Sequence, residues 1–324
     1  MTIAPTRPLP SGGTIPAIGL GTFGSDKYSP EQVADAVAYA LKAGFRLFDC
    51  ASVYGNEALI GEVLEQAFKE GVCKREDLFI TSKVWNDSHG KGEILLSLAQ
   101  SLKDLRLDYV DAYFVHWPLP NYHAPGCDGD SRNPDSKPFS ADHYMSVWRQ
   151  MEKVQKMGLT RHLGMSNMTI SKLDAVLPEC KIMPDLIEIE LHPCFQQTEL
   201  FNHCKAKNIL PMAFCPIGSP SRPERDRTPD DISDTALPEI VEIAKNHGVH
   251  PAVICLKWAA QIGSVPIPFA TAPEKIMANL KSVCEDPLSP AEMQIMAGAE
   301  RDCRLVKGQV FLWEGAKDWT EIWE

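Results

Sequence analysis

The 324-residue chain has no CxxC pair, no apolar run of membrane-spanning length and no excess of positive charge. Its ten cysteines are scattered and several lie within apolar runs, which is typical of buried free thiols and not of a disulfide framework. We therefore expect reduced cysteines and a cytoplasmic location. The net charge of −11 disfavours nucleic acid and anionic membranes as main partners.

The rest of the composition is ordinary for a globular protein, with 44% hydrophobic and 23% charged residues. The N-terminal residues lack the apolar core of a secretory signal, so we expect no leader. The length suits one large α/β domain or two small ones, and no shift in composition marks a boundary. We expect a single domain over residues 1–324 that acts on a small molecule and need not be an oligomer.

Short apolar runs alternate with longer amphipathic runs along the chain. The runs that predict strands are 17–21, 46–49, 78–83, 112–116, 161–166, 186–192, 210–215 and 265–268. The patterns that predict helices lie near 31–43, 57–70, 92–106, 141–157, 169–178, 196–207, 236–262, 273–283 and 290–299, and the run 236–262 predicts two helices split by His250-Pro251. Eight strands separated by helices are typical of a (β/α)8 TIM barrel, and a doubly wound sheet is the alternative.

Further segments complete the predicted fold. Residues 7–16 suggest an N-terminal β-hairpin around a Ser-Gly-Gly turn. Residues 118–140 and 216–235 predict long loops after the fourth and seventh strands, and residues 301–324 predict a C-terminal tail. We expect the long loops and the tail to lie over the mouth of the barrel, where barrel enzymes hold their sites.

Three predicted strands deliver residues suited to proton transfer. In the stretch GFRLFDCASVYGNEALIG, Asp49 ends the second strand and Tyr54 follows in its loop. Lys83 ends the third strand and His116 ends the fourth. Each residue alone is more often structural. Because the carboxyl ends of parallel strands meet at one mouth, a single site explains all four.

The chemistry that these residues suit is carbonyl reduction. Asp49 can pair with Lys83, and Lys83 next to Tyr54 would lower the pKa of the phenol from its ordinary value of about 10. Such a tyrosine can give a proton to a carbonyl oxygen that His116 orients. No strong nucleophile lies beside a base, so the hydride is expected to come from a cofactor.

Other kinds of site have less support. A barrel glycosidase needs paired carboxylates framing the scissile bond, which the strand ends do not supply. Glu190, His192 and His162 could bind a metal ion, but no ligand spacing supports this and we expect no metal. Residues 19–24 fit GxGxxG, yet no helix follows directly. We interpret them as a tight first βα loop near the mouth and not as a pyrophosphate cradle.

The chain resembles the aldo-keto reductases over essentially its full length. The resemblance is carried by residues 44–61, quoted above, and then in order by SKVWN, VHWP, GMSN, ELHP, CPIGSP and PEKI. It implies a (β/α)8 barrel, a nicotinamide cofactor extended across the mouth and a tetrad of Asp49, Tyr54, Lys83 and His116. The alternative is a non-catalytic nicotinamide-binding member of the same fold, which the intact tetrad disfavours.

The resemblance also implies which residues bind the cofactor. They are Gly21, Thr22, Phe23, Asp49, Ser166, Asn167, Glu188, Phe214, Cys215, Pro216, Ile217, Ser219, Pro268, Phe269, Ala270, Lys275 and Asn279. Glu188 stands where family members usually have Gln, so it can accept a hydrogen bond from an amide but cannot donate one. Phe214 stands where they usually have Tyr and keeps only the stacking face.

The segment expected to meet the 2′-phosphate of NADP(H) departs most from the family pattern. Phe269 and Ala270 replace the usual Lys-Ser, and Lys275 matches a position that is commonly Arg. Losing one charge-assisted contact weakens the preference for the phosphorylated cofactor by about 1.5–3 kcal/mol. We therefore expect dual use of NADP(H) and NAD(H). Three arginines of the 216–235 loop could restore a contact: Arg222, Arg225 and Arg227.

The expected substrate pocket has aromatic walls, from Phe23, Trp85, His116 and Trp117, together with the long loops and the tail. Polar residues of the first long loop favour a polar substrate: Asn121, Tyr122, His123, Asp128 and Asp130. Our first expectation is an open-chain aldose or a uronic acid, and hence a role in carbohydrate metabolism. For a uronate, a cation should reach the carboxylate, with Arg222 or Lys307 as the candidates.

Overall fold

The structure, a computed structural model, describes residues 3–24, 27–123, 127, 133–220 and 222–324, apart from the side chain of Arg225. The strands are β1 Thr6–Pro8, β2 Thr14–Pro16, β3 Leu20–Gly21, β4 Leu47–Asp49, β5 Phe79–Val84, β6 Val110–Val115, β7 Thr160–Ser166, β8 Leu186–Glu190, β9 Leu210–Phe214 and β10 Val265–Pro266. The helices are α1 Pro30–Ala43, α2 Glu57–Lys69, α3 Glu93–Leu105, α4 Ala141–Lys156, α5 Ile170–Val176, α6 Thr198–Ala206, α7 Pro238–His247, α8 Pro251–Gln261, α9 Pro273–Ser282 and α10 Pro290–Ala297.

Helix boundaries follow the capping residues of the sequence. Ser29 accepts a hydrogen bond from the Gln32 amide and the Gln32 side chain accepts one from the Ser29 amide, so a capping box begins α1. The helix ends at Gly44, whose φ of 118° disfavours residues with a Cβ. Pro251 occupies the first turn of α8, which separates α8 from α7.

Strands β3 to β10 form one parallel sheet in chain order. The backbone amides of Gly19 and Gly21 donate to the carbonyls of Pro266 and Pro268, both at 3.0 Å, so the first and last strands are joined. A Cβ at position 21 would lie 3.0 Å from the Ile267 carbonyl oxygen, and glycine permits this close approach. The sheet therefore closes into a barrel.

The core has an inner and an outer part. Inside the barrel, buried side chains from six strands form one cluster that includes Phe79 and Phe114. A Cβ at Gly164 on β7 would lie 2.2 Å from the Phe114 ring, so the missing side chain there makes room for the aromatic ring. Leu9 and Ile15 of the β1–β2 hairpin join the same cluster and close the end of the barrel opposite the mouth. The larger outer cluster fills the space between sheet and helices.

These observations confirm the predicted (β/α)8 barrel with its N-terminal hairpin, and the doubly wound alternative is wrong. Five of the eight barrel strands are shorter than predicted, whereas β5 has the predicted length and β6 and β7 are each one residue longer. The sixth predicted strand, 186–192, ends at Glu190, and His192 makes only an isolated bridge to Phe195. The fifth predicted helix, 169–178, ends at Val176 and continues as a 3₁₀ turn that contains a proline.

The C-terminal tail packs against the first long loop. Val310, Phe311 and Leu312 form a cluster with Trp117 and other buried side chains that follow β6. Asn121 donates to the backbone carbonyls of Lys137 and Phe311, each at 2.8 Å, and thereby joins loop and tail. None of the described helices is long and apolar enough to cross a membrane.

Candidate active site

A buried ammonium group lies at the mouth of the barrel. Lys83 on β5 donates to Asp49 Oδ2 at 2.5 Å and to the Cys50 carbonyl at 3.2 Å. The other Asp49 oxygen accepts from the Thr81 hydroxyl at 2.5 Å. Burial by itself lowers the pKa of Lys83, but the charges of Asp49 and Glu188 outweigh burial and hold that pKa well above its ordinary value. Lys83 is therefore positively charged.

A second carboxyl group contacts the same ammonium. Glu188, at 3% exposure, places Oε2 at 3.3 Å from Lys83 Nζ. It lies beside Ser166 because these residues are paired between β7 and β8. Burial, with a smaller effect of the Asp49 charge, raises the pKa of Glu188 to about 8 against the opposing effect of Lys83. The lysine thus lies between an aspartate and a glutamate.

Tyr54 lies over the lysine at the end of a 3₁₀ turn, Ser52–Tyr54, which follows β4. The centroid of its ring is 5.4 Å from Lys83 Nζ. Burial is the largest influence on the phenol and raises its pKa above the ordinary value of 10, whereas the charge and hydrogen bond of Lys83 act to lower it. The lysine has the predicted effect on Tyr54, but the predicted net lowering of the pKa is wrong because burial outweighs it.

His116 completes the group of four residues. Its ring centroid is 5.8 Å from that of Tyr54 and 5.0 Å from that of Trp85, both edge-on. Asn167 donates to its backbone carbonyl at 2.9 Å. Burial, with a smaller effect of the Lys83 charge, lowers the pKa of His116 well below its ordinary value. The imidazole is therefore neutral at pH 7 and has one N–H to donate.

The first βα loop holds this group in place. The Thr22 amide and hydroxyl both donate to the Asp49 carbonyl, at 3.1 and 2.9 Å. Asn56 donates to the Thr22 carbonyl at 2.8 Å, and Ser52 donates to the Lys83 carbonyl at 3.1 Å. Residues 22–24 thus form the loop that follows β3 beside the mouth.

Three residues that contribute to the site were not predicted from the sequence. Thr81 lies two residues before Lys83, so strand periodicity places both on one face and was the available signal. Asn56 lies two residues after Tyr54 in the same loop, where no periodicity indicates the partner of its side chain. Phe311 lies in the tail, and no local pattern indicates which tail aromatic reaches the mouth.

Aromatic rings form the walls of the mouth. Phe23 lies 5.2 Å from Tyr54 between ring centroids, and 38% of Phe23 is exposed. Trp85 and Trp117 both contact Phe311 of the tail, at 5.9 and 4.6 Å. Ring contacts thus connect Phe23 with Tyr54, His116 with Trp85, and both tryptophans with the tail.

The polar residues predicted for the first long loop have different environments. Asn121 is buried and holds the tail, as described above, so its polar groups serve the fold. The His123 ring lies 5.5 Å from that of Phe311, and Tyr122 is exposed. Three predicted contributors lie outside what the structure describes: Asp128, Asp130 and the Arg225 side chain.

The residues predicted to bind nicotinamide lie on the side of the mouth formed by β7 to β9. Asn167, with a φ of 57°, follows β7 and donates to Ser166 Oγ at 3.2 Å. Its Oδ1 is buried and accepts no hydrogen bond from any described residue. An amide N–H of a ligand would satisfy this oxygen, so the site fits a carboxamide. Phe214 ends β9 half-buried and offers a ring face.

The loop after β9 begins with a tight turn. The Gly218 amide donates to the Cys215 carbonyl at 2.9 Å, and this turn contains the predicted Pro216 and Ile217. Cys215 and Ser219 have positive φ values of 50° and 35°. The turn thus places the predicted pyrophosphate residues at the rim of the mouth.

The segment predicted to meet the 2′-phosphate lies between β10 and α9. Phe269 packs edge-on against Tyr28 with 5.3 Å between ring centroids. Ala270 and Asn279 are buried, whereas Lys275 is exposed in the first turn of α9. An aromatic side chain thus occupies the position where the family pattern has a cation.

Two buried cations share one carboxylate near the tail. Arg222 and Lys307, at 8% and 7% exposure, both pair with Asp231, and the Lys307 Nζ–Oδ1 distance is 3.1 Å. The formal charge of these three groups is +1. Lys307 also precedes Gly308, where a Cβ would lie 3.2 Å from the Trp117 ring. Excess positive charge therefore adjoins an aromatic wall of the mouth.

A buried histidine and a glutamate connect the end of β8 to the loop after β9 and to the C-terminal tail. His192 contacts Glu190 and Asp234, each at 3.0 Å, and these contacts raise its pKa to about 9 against the opposing effect of burial. Glu190 also accepts from the Leu305 amide at 2.7 Å, so the tail is attached to the strand end. His162 instead pairs with Asp185 beside the N-terminal hairpin and does not lie with Glu190 and His192, the other two residues that were considered as metal ligands.

The arrangement suits proton transfer to a polar oxygen held in an aromatic mouth. A phenol, a neutral imidazole and a lysine made cationic by carboxylates converge there. A developing alkoxide would be stabilised by these groups without reorganisation of the site. No covalent intermediate is required.

A sequence model of the Aldo/keto reductase family matches residues 17–301. The chain is 39% identical over 309 residues to Aldo/keto reductase slr0942 of Synechocystis, covering 95% of this chain and 93% of that protein. It is 37% identical over 303 residues to Aldo-keto reductase family 1 member A1 of Bos taurus, covering 92% and 90%. The crystal structure of Bombyx mori aldo-keto reductase AKR2E4 in complex with NADP has a TM-score of 0.83 at 29% identity, covering 94% of this chain and 96% of that chain.

Proposed function

The chain belongs to the aldo/keto reductase family and is an NAD(P)H-dependent oxidoreductase that reduces carbonyl groups, and we propose that Tyr54 is its proton donor. The observation that carries the proposal is the position of the Tyr54 ring, 5.4 Å from a buried Lys83 ammonium that is paired with Asp49 at 2.5 Å. A merely structural tyrosine would not need this buried ion pair beneath it.

Each residue of the site has a role in this mechanism. The substrate carbonyl oxygen accepts hydrogen bonds from the Tyr54 hydroxyl and from neutral His116. As negative charge develops on that oxygen, Tyr54 gives up its proton, and Lys83 stabilises the phenolate that forms. Asp49 keeps Lys83 charged and fixes its direction. The aromatic walls exclude water from the reacting oxygen.

A nicotinamide cofactor, when bound, supplies the hydride. Ser166, Asn167 and Glu188 would hold its carboxamide, and Phe214 would stack on its ring. The unsatisfied Asn167 oxygen supports this placement. The turn from Cys215 to Ser219 and the segment from Pro268 to Asn279 would hold the rest of the dinucleotide. These residues would hold the cofactor beside the substrate and Tyr54.

The proposed substrate is a polar aldehyde, either an open-chain aldose or a uronic acid, which would place the enzyme in carbohydrate metabolism. The excess positive charge of Arg222 and Lys307 over Asp231 supports an anionic substrate, because a carboxylate arriving there would neutralise it. The aromatic walls around Trp85 and Trp117 suit the carbon chain of a sugar.

The proposed cofactor use is dual, with NADPH and NADH both accepted. Phe269 packs on Tyr28 and offers no charge to a 2′-phosphate, and Ala270 offers no hydroxyl. Lys275 is exposed and supplies one flexible cation. Of the arginines considered, Arg222 is engaged with Asp231 and Arg227 donates to the Pro220 carbonyl at 2.9 Å, so the support for a compensating contact is weak.

We propose that residues 1–324 act as one barrel domain, because both the hairpin and the tail pack on the barrel. All ten cysteines are free, which supports the prediction of a cytoplasmic location. The mouth is assembled within one chain, so the proposal needs no oligomer.

Tyr54→Phe is expected to lower kcat by about 10²–10⁴-fold, because it removes the proton donor. The dissociation constant of the reduced cofactor, measured by fluorescence titration, should change less than threefold. Tyr109→Phe is the matched control. Tyr109 directly precedes β6, at the end of the barrel opposite the mouth, and its hydroxyl accepts a hydrogen bond from Arg161. A Tyr54→Phe variant with more than a tenth of wild-type kcat would refute the assignment.

The kcat/KM for NADPH should exceed that for NADH by no more than about 10–150-fold, corresponding to one charge-assisted contact of about 1.5–3 kcal/mol. Lys275→Met should remove most of this difference by lowering kcat/KM for NADPH alone. Lys281→Met, an exposed lysine later in the same helix, is the control. A preference for NADPH beyond a thousandfold would contradict the proposal.

Lys307→Met should lower kcat/KM for an open-chain uronate about tenfold or more, because it removes a charge that meets the carboxylate. The value for a neutral aldose of the same chain length should change less than threefold and serves as the control. Activity confined to apolar aromatic aldehydes would overturn the substrate proposal, and equal losses for both sugars would show that Lys307 only supports the fold.

A further inference from the structure

A second buried carboxyl group, that of Glu188, lies beside the Lys83 ammonium. It lies at the end of β8, at 3% exposure, with Oε2 at 3.3 Å from Lys83 Nζ. The family pattern has a neutral glutamine at this position, so this chain has one more ionisable group beside its lysine. A buried charge needs strong compensation, which makes the contacts of Glu188 informative.

The two carboxyl groups on Lys83 have unequal support. Asp49 receives a hydrogen bond on each oxygen, from Thr81 and from Lys83, both at 2.5 Å. Glu188 Oε2 has only the longer contact with Lys83, at 3.3 Å. Hydrogen bonds to an ionised carboxylate favour that form, so the more weakly bonded Glu188 is the group that takes a proton.

The ammonium group of Lys83 cannot satisfy all its neighbours. It has three N–H donors, whereas Asp49, the Cys50 carbonyl, Glu188 and the Tyr54 hydroxyl surround it. An ionised Glu188 competes with the Tyr54 hydroxyl for the third donor. A protonated Glu188 leaves that donor to the phenol.

We propose that Glu188 is a positioning residue that acts through Lys83, and that its gain or loss of a proton sets how strongly Lys83 activates the Tyr54 hydroxyl. This inference rests on the proposed role of Tyr54 as proton donor. When Glu188 is ionised, its charge raises the pKa of the phenol and cancels part of the effect of Lys83. Deprotonation of Glu188 therefore slows proton delivery to the carbonyl.

The other titratable groups around the cluster differ from Glu188 in where they titrate. Burial raises the pKa of Tyr54 above 10, the carboxylates hold the pKa of Lys83 well above its ordinary value, and burial raises the pKa of Cys215 above its ordinary value. Burial lowers the pKa of His116 well below its ordinary value. The pKa of Glu188 is about 8, so it changes charge between pH 7 and 9.

Among the described residues, Lys172 of α5 also has a pKa of about 8, but it donates to the Ile322 carbonyl of the tail at 2.8 Å and not to this cluster. His192 has a pKa of about 9. It lies two residues beyond β8 and pairs with Glu190 and Asp234 instead of Lys83. Replacing Glu188 leaves His192 in place. A fall in rate with rising pH that is caused by His192 therefore remains in a Glu188 variant, whereas a fall caused by Glu188 disappears.

The test is the pH dependence of single-turnover hydride transfer from bound reduced cofactor to glyceraldehyde, followed by nicotinamide absorbance. In the wild type, the rate should fall about five- to tenfold between pH 7 and pH 9, because Glu188 loses most of its proton over this range. In Glu188→Gln, which keeps the shape but not the charge, the change should be less than twofold, and the rate at pH 9 should match or exceed that of the wild type.

Two further variants make the result decisive. Glu188→Met, which has no polar atom to titrate, should show the same flat profile and serves if Glu188→Gln does not fold. Glu152→Gln removes another buried carboxylate, which accepts from the Lys181 and Ile182 amides on the outer surface of the barrel, and should keep the wild-type profile.

A wild-type rate that is flat from pH 7 to 9, or a fall that persists in both Glu188 variants, overturns the proposal. Tyr54→Phe is measured in parallel and should be slow at every pH. If Tyr54→Phe is fast, the proton-donor assignment fails, and that failure is visible whatever the Glu188 profiles show.

Discussion

The ion pair between Lys83 and Asp49 is the interaction on which the rest of the site depends. A lysine with no exposed surface is costly unless opposite charge is close, and Asp49 at 2.5 Å supplies it. The ammonium in turn gives the Tyr54 ring a cation at 5.4 Å and helps to keep His116 neutral. The properties of the phenol and the imidazole thus follow from one buried charge and its partner.

The barrel makes this pairing possible because neighbouring parallel strands end at one level. Asp49 ends β4 and Lys83 lies near the end of β5, which are hydrogen-bonded neighbours. Glu188 lies on β8, which is separated from β5 by two strands in the sheet. Closure of the barrel brings its Oε2 to 3.3 Å from the lysine Nζ. The tail is held at the mouth by Glu190 and the loop after β9 by His192, so both segments are attached to the end of β8.

Much of this organisation could be predicted from the sequence. Alternating apolar and amphipathic runs predicted every barrel strand, and polar residues at strand ends indicated Asp49, Lys83 and His116. The contact between Lys83 and Glu188 could not be predicted, because the two strands are separated in sheet order and only closure brings them together. The role of Phe311 was also hidden, since a tail without regular structure has no periodicity that points to the mouth.

The prediction that the pKa of Tyr54 is lowered was wrong for a physical reason. Sequence reasoning supplies the sign of a charged neighbour but not the extent of burial, and here burial is the larger effect. The Glu188 substitution illustrates the same limit. A change from an amide to a carboxyl reads as conservative in sequence, yet in a buried cluster it adds a proton-binding site.

The most direct test of this account measures the unfolding free energy of Lys83→Met and of the double variant Lys83→Met/Asp49→Asn by urea denaturation at pH 7. If Lys83 is the buried counter-charge for Asp49, the single variant should lose about 3–5 kcal/mol and the double variant should recover most of that loss while its carbonyl reductase activity stays absent. A single variant within about 1 kcal/mol of the wild type would contradict the account, because the carboxylates would then be stable without the lysine.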